Sequence, residues 1–281
     1  MVVAENHMQE GVEEFKMDIK LLNKNKEKTS FLVKNTDTVF INTLRRNIIS
    51  NVPTLAIDTV KFIKNSSALY DEILAHRFGL VTLKTDLKSY SLKSESKAKK
   101  SSTTELILTL SCKGPCTVYG GDLTSKDPKV KAIYPKTVIV KLSKGQELKL
   151  EATAILGTGK KHTKFSPGLS YYQGYPEINI LKPNASGVVE AVKICPTKVF
   201  RAENKQLKVH DLEKCNLCNA CVELLGENII DVKGSNKDFI VHLESWGQLK
   251  NNEILDKAID VMDDKLDEFE SQIKKIKWFL N

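Results

Sequence analysis

Apolar residues near the C-terminus repeat at alternating steps of four and three, and this pattern constrains the fold more than any other feature. The repeat comprises Leu255, Ile259, Met262, Leu266, Phe269, Ile273, Ile276 and Leu280. Such spacing predicts one long α-helix with a narrow apolar seam. The residues between are mostly Asp, Glu, Lys and Gln, so the seam must pack either on the chain's own core or on a partner chain. So narrow a seam on so long a helix favours a partner chain.

The stretch "CNLCNAC" (215–221) carries three cysteines at equal spacing, and "ICPTKVF" supplies a Cys-Pro upstream. Bacterial ferredoxins hold one cluster with such a triplet plus a remote Cys-Pro. Residue 225 is Leu, so a local fourth cysteine is missing. The pattern predicts one iron–sulfur cluster, with 4Fe–4S favoured, 3Fe–4S as an alternative, and structural zinc next. The predicted ligands are Cys195, Cys215, Cys218 and Cys221.

Two further cysteines, Cys112 and Cys116, lie in "SCKGPC". With no other Cys or His nearby they are interpreted as two reduced thiols, with a disulfide or half of a metal site as alternatives. Catalytic motifs such as HExxH and GxSxG are absent, and "GTGKKHTK" (157–164) lacks the spacing of a phosphate loop. The sequence therefore predicts no catalytic residue.

Length and charge narrow the class of protein. The 281 residues exceed a usual single domain and predict two or three structural units. Half of the net charge of +8 lies in the Lys/Ser stretch 88–100, which is interpreted as a solvated loop. Strong direct nucleic-acid binding is not expected. The polar N-terminus and the lack of a long apolar run predict a cytoplasmic protein with no membrane contact.

Local patterns predict most elements. "FKMDIKLL" (15–22) alternates as a half-buried strand, and 31–34 is its hairpin partner. Residues 37–52 have helical spacing, with N-cap oxygens at 36–38 and a stop at Pro53. A second helix is predicted at 69–83. Further strands are predicted at 55–63, 106–110, 137–142, 148–156 and 178–181.

Three stretches resemble a known family. They are "NTLRRNIISNVPTLAIDTVKFIKNSSALYDEILAHRFGLVTLK" (42–84), "GPCTVYGGDL" (114–123) and "GTGKKHTKFSPG" (157–168). All three are similar to the α-like subunits of cellular RNA polymerases. The similarity is greatest to the archaeal branch of that family, in the form with a ferredoxin-like iron–sulfur insert. The resemblance runs from about residue 12 to the end.

The resemblance implies an α+β fold with three parts. A dimerisation domain, a sheet plus two long helices, would combine 10–53, 171–182 and 237–281. A mainly-β domain would be inserted at 54–170, and a ferredoxin-like cluster domain at 183–236. The eukaryotic relatives hold zinc in the second domain, but here only Cys112 and Cys116 fall in that region, so the zinc site is not transferred.

The resemblance also implies partners. The small α-like subunit L would pack on the 37–52 helix and the C-terminal helix, and the heterodimer would be a platform for the zinc-bearing subunits N and P and the large catalytic subunits. The chain would be inactive alone. The expected contacts with subunit L are Phe40, Leu44, Ile48, Leu255, Ile259, Met262, Leu266, Phe269 and Ile273.

A stand-alone iron–sulfur protein for electron transfer or redox sensing is the alternative. Its cluster segment would fill only about a fifth of this chain, and no flavin, nicotinamide or second-cluster signature accompanies it. A single cluster then has no evident electron partner, which favours the polymerase subunit.

Overall fold

The computed structural model describes residues 16–92 and 104–279, without the side chains of 277–279, and mixes β-sheets with a few helices. The strands are β1 (Asp18–Lys24), β2 (Lys28–Lys34), β3 (Pro53–Asn65), β4 (Glu105–Lys113), β5 (Cys116–Tyr119), β6 (Thr124–Ser125), β7 (Val138–Leu142), β8 (Glu147–Thr158), β9 (Gly168–Ile180), β10 (Phe200–Glu203), β11 (Gln206–Val209) and β12 (Ile230–Ser245). The helices are α1 (Thr38–Ser50), α2 (Asp71–Gly79), α3 (Val188–Ile194), α4 (Ala220–Leu225) and α5 (Asn251–Phe279).

Helix α1 begins and ends where the sequence predicts. The Asp37 carboxylate accepts a 2.7 Å hydrogen bond from the backbone N–H of Phe40, which satisfies one of the first-turn donors. The helix ends at Ser50, and Pro53 opens β3 because proline has no N–H for a further helical turn. The predicted helix at 37–52 is confirmed.

The predicted strands are also found, and most are longer than their sequence patterns; β1 and β7 are one residue shorter than the stretches 15–22 and 137–142. The described strands form four-stranded sheets in the orders β1-β2-β12-β9 and β3-β8-β4-β6, and two-stranded sheets β10-β11 and β5-β7. Strand β8 pairs antiparallel with both β3 and β4, which makes it the centre of the second sheet. The strand predicted at 178–181 is the end of the longer β9.

Helix α2 is shorter than predicted. It stops at Gly79 and is followed by a turn at Leu80, after which Leu83 pairs with Ala132 and is fully buried. Apolar residues continue at helical spacing after Gly79. They do not extend the helix, because buried positions are apolar in non-helical segments as well.

The described chain divides into two compact units. One contains Tyr172–Val241 with two N-terminal segments, and the other contains Asn42–Tyr171, His242 onward and a short N-terminal segment. The first unit contains a hydrophobic core within 188–230. The second has a large core between β3, β8, β4 and α2, and another formed by α1, β12 and α5.

Two local expectations need correction. Strand β1 exists, but Met17, Ile19 and Leu21 are exposed rather than half-buried, because β1 is the edge strand of its sheet and no described layer covers this side. Within the stretch 88–100, Tyr90 is buried, and its hydroxyl donates a 2.9 Å hydrogen bond to Asp127. Burial and Asp127 raise the pKa of Tyr90 to about 12. Residues 93–103 lie outside the described chain.

Candidate metal centre and partner face

Four cysteines from separate elements converge on one small cavity. Cys195 directly follows α3, Cys221 lies in the first turn of α4, and Cys215 follows a short 3-10 turn. These three and Cys218 line the cavity, and no His, Asp or Glu lines it with them. The predicted ligand set is therefore brought to one place by the fold.

The backbone between the cysteines makes this convergence possible. Leu217 and Asn219, on either side of Cys218, have φ values of 57° and 59°. Left-handed conformations are uncommon for residues other than glycine, and two of them within one short loop turn the chain sharply. The Gln173 side chain on β9 donates a 2.8 Å hydrogen bond to the Cys215 carbonyl, which fixes one end of the loop.

The cysteines differ in exposure and share an electrostatic environment. Cys195, Cys215 and Cys221 are only 8, 8 and 7% exposed, whereas Cys218 is exposed. Burial raises the pKa of the Cys215 thiol, and the neighbouring Cys195 and Cys218 raise it further. Burial likewise raises the pKa of the Cys221 thiol, with additions from Cys215 and Cys195. Four mutually repelling thiolates are stable here only with a positively charged group among them.

Backbone N–H groups interact with the sulfurs of Cys195, Cys215 and Cys221. Val199 N–H donates to Cys195 Sγ at 3.3 Å. Backbone hydrogen bonds from Leu217 to Cys215, and from Val222 to Cys221, oppose the effect of burial on the thiol pKa. Hydrogen bonds of this kind stabilise thiolate ligands and tune iron–sulfur centres.

The donor set fits a soft metal centre. In the described chain, no three His, Cys, Asp or Glu side chains stand close enough together to hold a single metal ion. A zinc ion would need all four sulfurs around one point. A 4Fe–4S cluster takes one cysteine per iron, so its sulfurs stand further apart. Four thiols around a cavity without oxygen or imidazole ligands are a soft donor set of the kind that zinc or an iron–sulfur cluster takes.

Cys112 and Cys116 form no second centre with other described ligands. Both are free, half-buried thiols, Cys112 on β4 and Cys116 on β5, and both pack against the large core of the second unit. Burial raises the pKa of Cys112, as do Asp122 and Cys116. These surroundings stabilise the neutral thiol of Cys112.

The first half of α5 is part of the chain's own core. Ile254 and Ala258 are fully buried, and Leu255 and Met262 pack against the same core with partial exposure. Further along, Lys265 donates a 3.2 Å hydrogen bond to the buried Asn47 side chain of α1. These contacts fix the direction of α5.

The second half of the same apolar seam is uncovered. Leu266 and Phe269 are 63 and 61% exposed, and Ile273 and Ile276 are exposed as well. We call these four residues the distal seam. Ile259, about two turns before Leu266, is half exposed, and Leu280 lies outside the described chain. Because an α-helix has about 3.6 residues per turn, the distal seam continues the side of α5 that the core covers nearer its start.

Helix α1 likewise has a buried part and an exposed part. Two of its residues that were expected to contact subunit L, Leu44 and Ile48, are buried in the chain's own core. Leu44 and Ile48 are 7 and 0% exposed because they pack within the core that contains Ile254 and Ala258. They have no surface left for another chain. Phe40 and its neighbour Val39, in the first turn of α1, are exposed.

The loop "GTGKKHTK" has a structural explanation. Lys161 and Lys164 both pair with Asp58 on β3, at 3.3 and 3.1 Å. Burial raises the pKa of Asp58, but the hydrogen bonds and charges of the two lysines outweigh burial and lower it. A Cβ at Gly159 would overlap the Ile49 carbonyl oxygen, so this loop packs closely on the end of α1.

No helix in the described ranges is both long and apolar enough to cross a bilayer.

Part of the chain matches a known protein family. The family model described as "RNA polymerase Rpb3/RpoA insert domain" matches residues 54–168. The chain therefore has the inserted domain that characterises α-type subunits of RNA polymerase.

Relatives that match over nearly their whole length identify the family more closely. DNA-directed RNA polymerase subunit Rpo3 of Methanosphaera stadtmanae is 36% identical over 261 residues, covering 89% of this chain and 96% of that protein. The Rpo3 subunits of Methanothermobacter thermautotrophicus and Archaeoglobus fulgidus are 37 and 33% identical, covering 90 and 92% of this chain and 97 and 98% of their own lengths.

The chain belongs to the family of DNA-directed RNA polymerase subunit Rpo3. This confirms the resemblance to the archaeal α-like subunits. The relatives carry the name of a polymerase subunit rather than of a redox protein, so the stand-alone redox alternative is not supported. The iron–sulfur form of the subunit stays a prediction.

Proposed function

We propose that this chain is a non-catalytic assembly subunit of DNA-dependent RNA polymerase. It forms a heterodimer with the small α-like subunit L, and the pair is the platform for the zinc-bearing subunits N and P and the large catalytic subunits. Family membership supports the assignment to the polymerase. The chemistry of RNA synthesis belongs to the large subunits.

The observation that carries the partner assignment is the division of α5. One apolar side of a 29-residue helix is covered by the chain's own core at its start and exposed at its end. Exposed, contiguous apolar surface on a folded protein marks an interaction site. The polar residues that flank the distal seam on the remaining sides of the helix restrict this surface to a strip, which fits another helix better than a broad sheet.

Phe40 and Val39, which are exposed in the first turn of α1, are a separate proposed contact. The residues that hold α1 and α5 together inside the chain are Leu44, Ile48, Leu255 and Met262, which share one hydrophobic core. The proposed contacts with subunit L are therefore the exposed residues Phe40, Ile259, Leu266, Phe269, Ile273 and Ile276.

Co-expression with a subunit L tests this face. The full chain should form a soluble 1:1 complex, and Leu266→Asp should abolish it because a carboxylate would be buried against apolar side chains. Ser271→Asp introduces the same charge on the opposite side of α5 and should leave the complex intact. Equal loss with both variants, or a complex that tolerates Leu266→Asp, would contradict the proposed face.

We also propose that Cys195, Cys215, Cys218 and Cys221 hold one iron–sulfur cluster, 4Fe–4S rather than 3Fe–4S. When bound, the cluster would brace the core at 188–230, since three of its ligands are members of that core. The chain's own residues supply four thiolates, three of them with backbone N–H partners.

Iron and sulfide counts on anaerobically purified protein test this proposal. Cys195→Ser should remove iron and sulfide, whereas Cys112→Ser, a control thiol outside the cavity, should not. Zinc in place of iron and sulfide would refute the cluster while leaving the polymerase assignment untouched.

A further inference from the structure

A groove of about 880 Å³ lies between the start of α5 and the segment 84–92, which follows α2. Apolar side chains contribute to its lining, among them Pro53, Leu156 and Leu249. All of its lining residues belong to the second compact unit. The groove is therefore separate from the cysteine cavity, and no residue of the distal seam lines it.

The two walls of the groove carry opposite charges. One wall belongs to α5, where steps of three and four residues place acidic side chains along one side of the helix. These side chains are Glu253, Asp256, Asp260 and Asp264. The other wall carries Lys84, Lys88 and Lys129.

The chain neutralises only part of this charge by itself. Lys129 pairs with Asp86 at 3.1 Å, and Lys257 on α5 lies 3.9 Å from Asp260. The Glu253 carboxylate accepts a 2.8 Å hydrogen bond from the Lys250 backbone N–H. The charged lining side chains with neither an ion pair nor a hydrogen bond to a described residue are Asp256 and Asp264 on the acidic wall and Lys84 and Lys88 on the basic wall.

One polar atom at the groove also lacks a partner. Ser91 Oγ is buried, and no group in the described ranges forms a hydrogen bond with it. A buried hydroxyl left in this state costs free energy. A bound chain that offers a backbone N–H or C=O would remove this cost.

From these walls we propose that the groove docks an extended segment of another polymerase subunit. The segment has basic side chains towards α5 and acidic side chains towards 84–92. Between Glu253 and Asp264 the α5 wall extends about 16 Å at 1.5 Å per residue, which is about five residues of an extended chain. The carboxylates of α5 would repel phosphates, so a nucleic-acid strand does not fit.

This docking site rests on the proposed function, since its occupant is another polymerase subunit, but it is distinct from the face proposed for subunit L. Asp264 and Leu266 are two residues apart, which is about 200° around α5. The groove and the distal seam therefore lie on opposite sides of the helix, and both can be occupied at once. Loss of one contact can be measured while the other persists.

The first experiment identifies the occupant in polymerase assembled from its purified subunits. Ser89, an exposed residue that lines the groove, is replaced by the photo-cross-linking residue p-benzoylphenylalanine. After illumination, mass spectrometry should find one other subunit, joined through a segment that carries both basic and acidic residues. No cross-link to another subunit, a cross-link within the same chain alone, or a segment without basic residues would overturn the proposal.

The second experiment measures how tightly that purified subunit binds the heterodimer with subunit L. Asp264→Lys should weaken binding severalfold at low salt, because an attraction becomes a repulsion, and the difference should shrink as salt is added. Asp263→Lys makes the same change at the neighbouring residue, which does not line the groove, and should bind like the wild type.

Lys84→Glu tests the basic wall in the same way and should also weaken binding severalfold. Complex formation with subunit L reports that each variant is folded. If the variants bind subunit L and the cross-linked subunit as tightly as the wild type does, the groove is not the docking site, and the proposed function is unaffected. If the wild type binds no polymerase subunit at all, the proposed function fails together with this site.

Discussion

Truncating Phe269 to alanine separates the proposed partner face from the chain's own core. Phe269 belongs to the distal seam and is 61% exposed. If subunit L covers it, the variant should bind subunit L more weakly and keep its own stability. If the side chain supports only its own fold, the reverse should be seen.

The magnitude follows from the exposed area. Burying a whole Phe side chain is worth about 1.5–3 kcal/mol, so the exposed three-fifths of Phe269 leave about 1–2 kcal/mol to be gained on association. At about 1.4 kcal/mol per factor of ten, the dissociation constant should rise about five- to thirtyfold. The stability of the free chain should change by less than about 0.5 kcal/mol, since few contacts are lost.

Titration calorimetry with purified subunit L gives the first quantity, and urea unfolding of the free chain gives the second. Ser271→Ala, on the opposite side of α5, is the matched control and should alter neither. Unchanged affinity together with a loss of stability above about 1 kcal/mol would show that Phe269 belongs to the chain's own core, and the reasoning from exposure would be refuted.

Three further predictions concern the fold. Ile48→Ala should lower the free energy of unfolding by about 2–4 kcal/mol in urea, because Ile48 is fully buried between α1 and α5; a loss below about 1 kcal/mol would contradict this packing. Asp37→Ala should cost about 1 kcal/mol by removing the cap of α1, whereas Asp37→Ser should restore most of it. Burial lowers the pKa of His242 below its usual 6.5, so protonation favours the unfolded chain, and stability should fall as pH drops through 6.5 towards that lower value. His242→Gln should flatten this part of the pH profile in urea unfolding at several pH values, and an unchanged slope would exclude His242 as its source.

Most of the secondary structure could be predicted from the periodicity of apolar residues and from helix-capping residues. Alternation and β-branched residues predict β3, β4 and β8, and an Asp cap with a downstream proline predicts α1. These signals act over a few residues, so one sequence suffices to see them. The convergence of Cys195 with Cys215, Cys218 and Cys221 was predicted from a spacing that a cluster itself imposes.

Burial of particular faces was predicted less well. Ile19 and Ile48 carry the same kind of apolar signal, yet one is exposed on an edge strand and the other is fully buried. An apolar side chain indicates that a surface will be covered, but not whether the cover comes from the same chain. The buried Tyr90 was missed because its partner Asp127 lies far away in sequence. The exposure of Cys218 depends on the turn of its loop, which spacing does not reveal.

The two-part helix α5 has a kinetic consequence. Starting a helix is unfavourable, and isolated helices shorter than about 12–15 residues are marginal in water. In α5 the initiating turns are held by Ile254 and Ala258, so the later turns only extend an existing helix. An incoming chain meets a strip that already has its final shape. Association should then proceed by docking at rates set by orientation, without a slow step in which this surface must first be ordered.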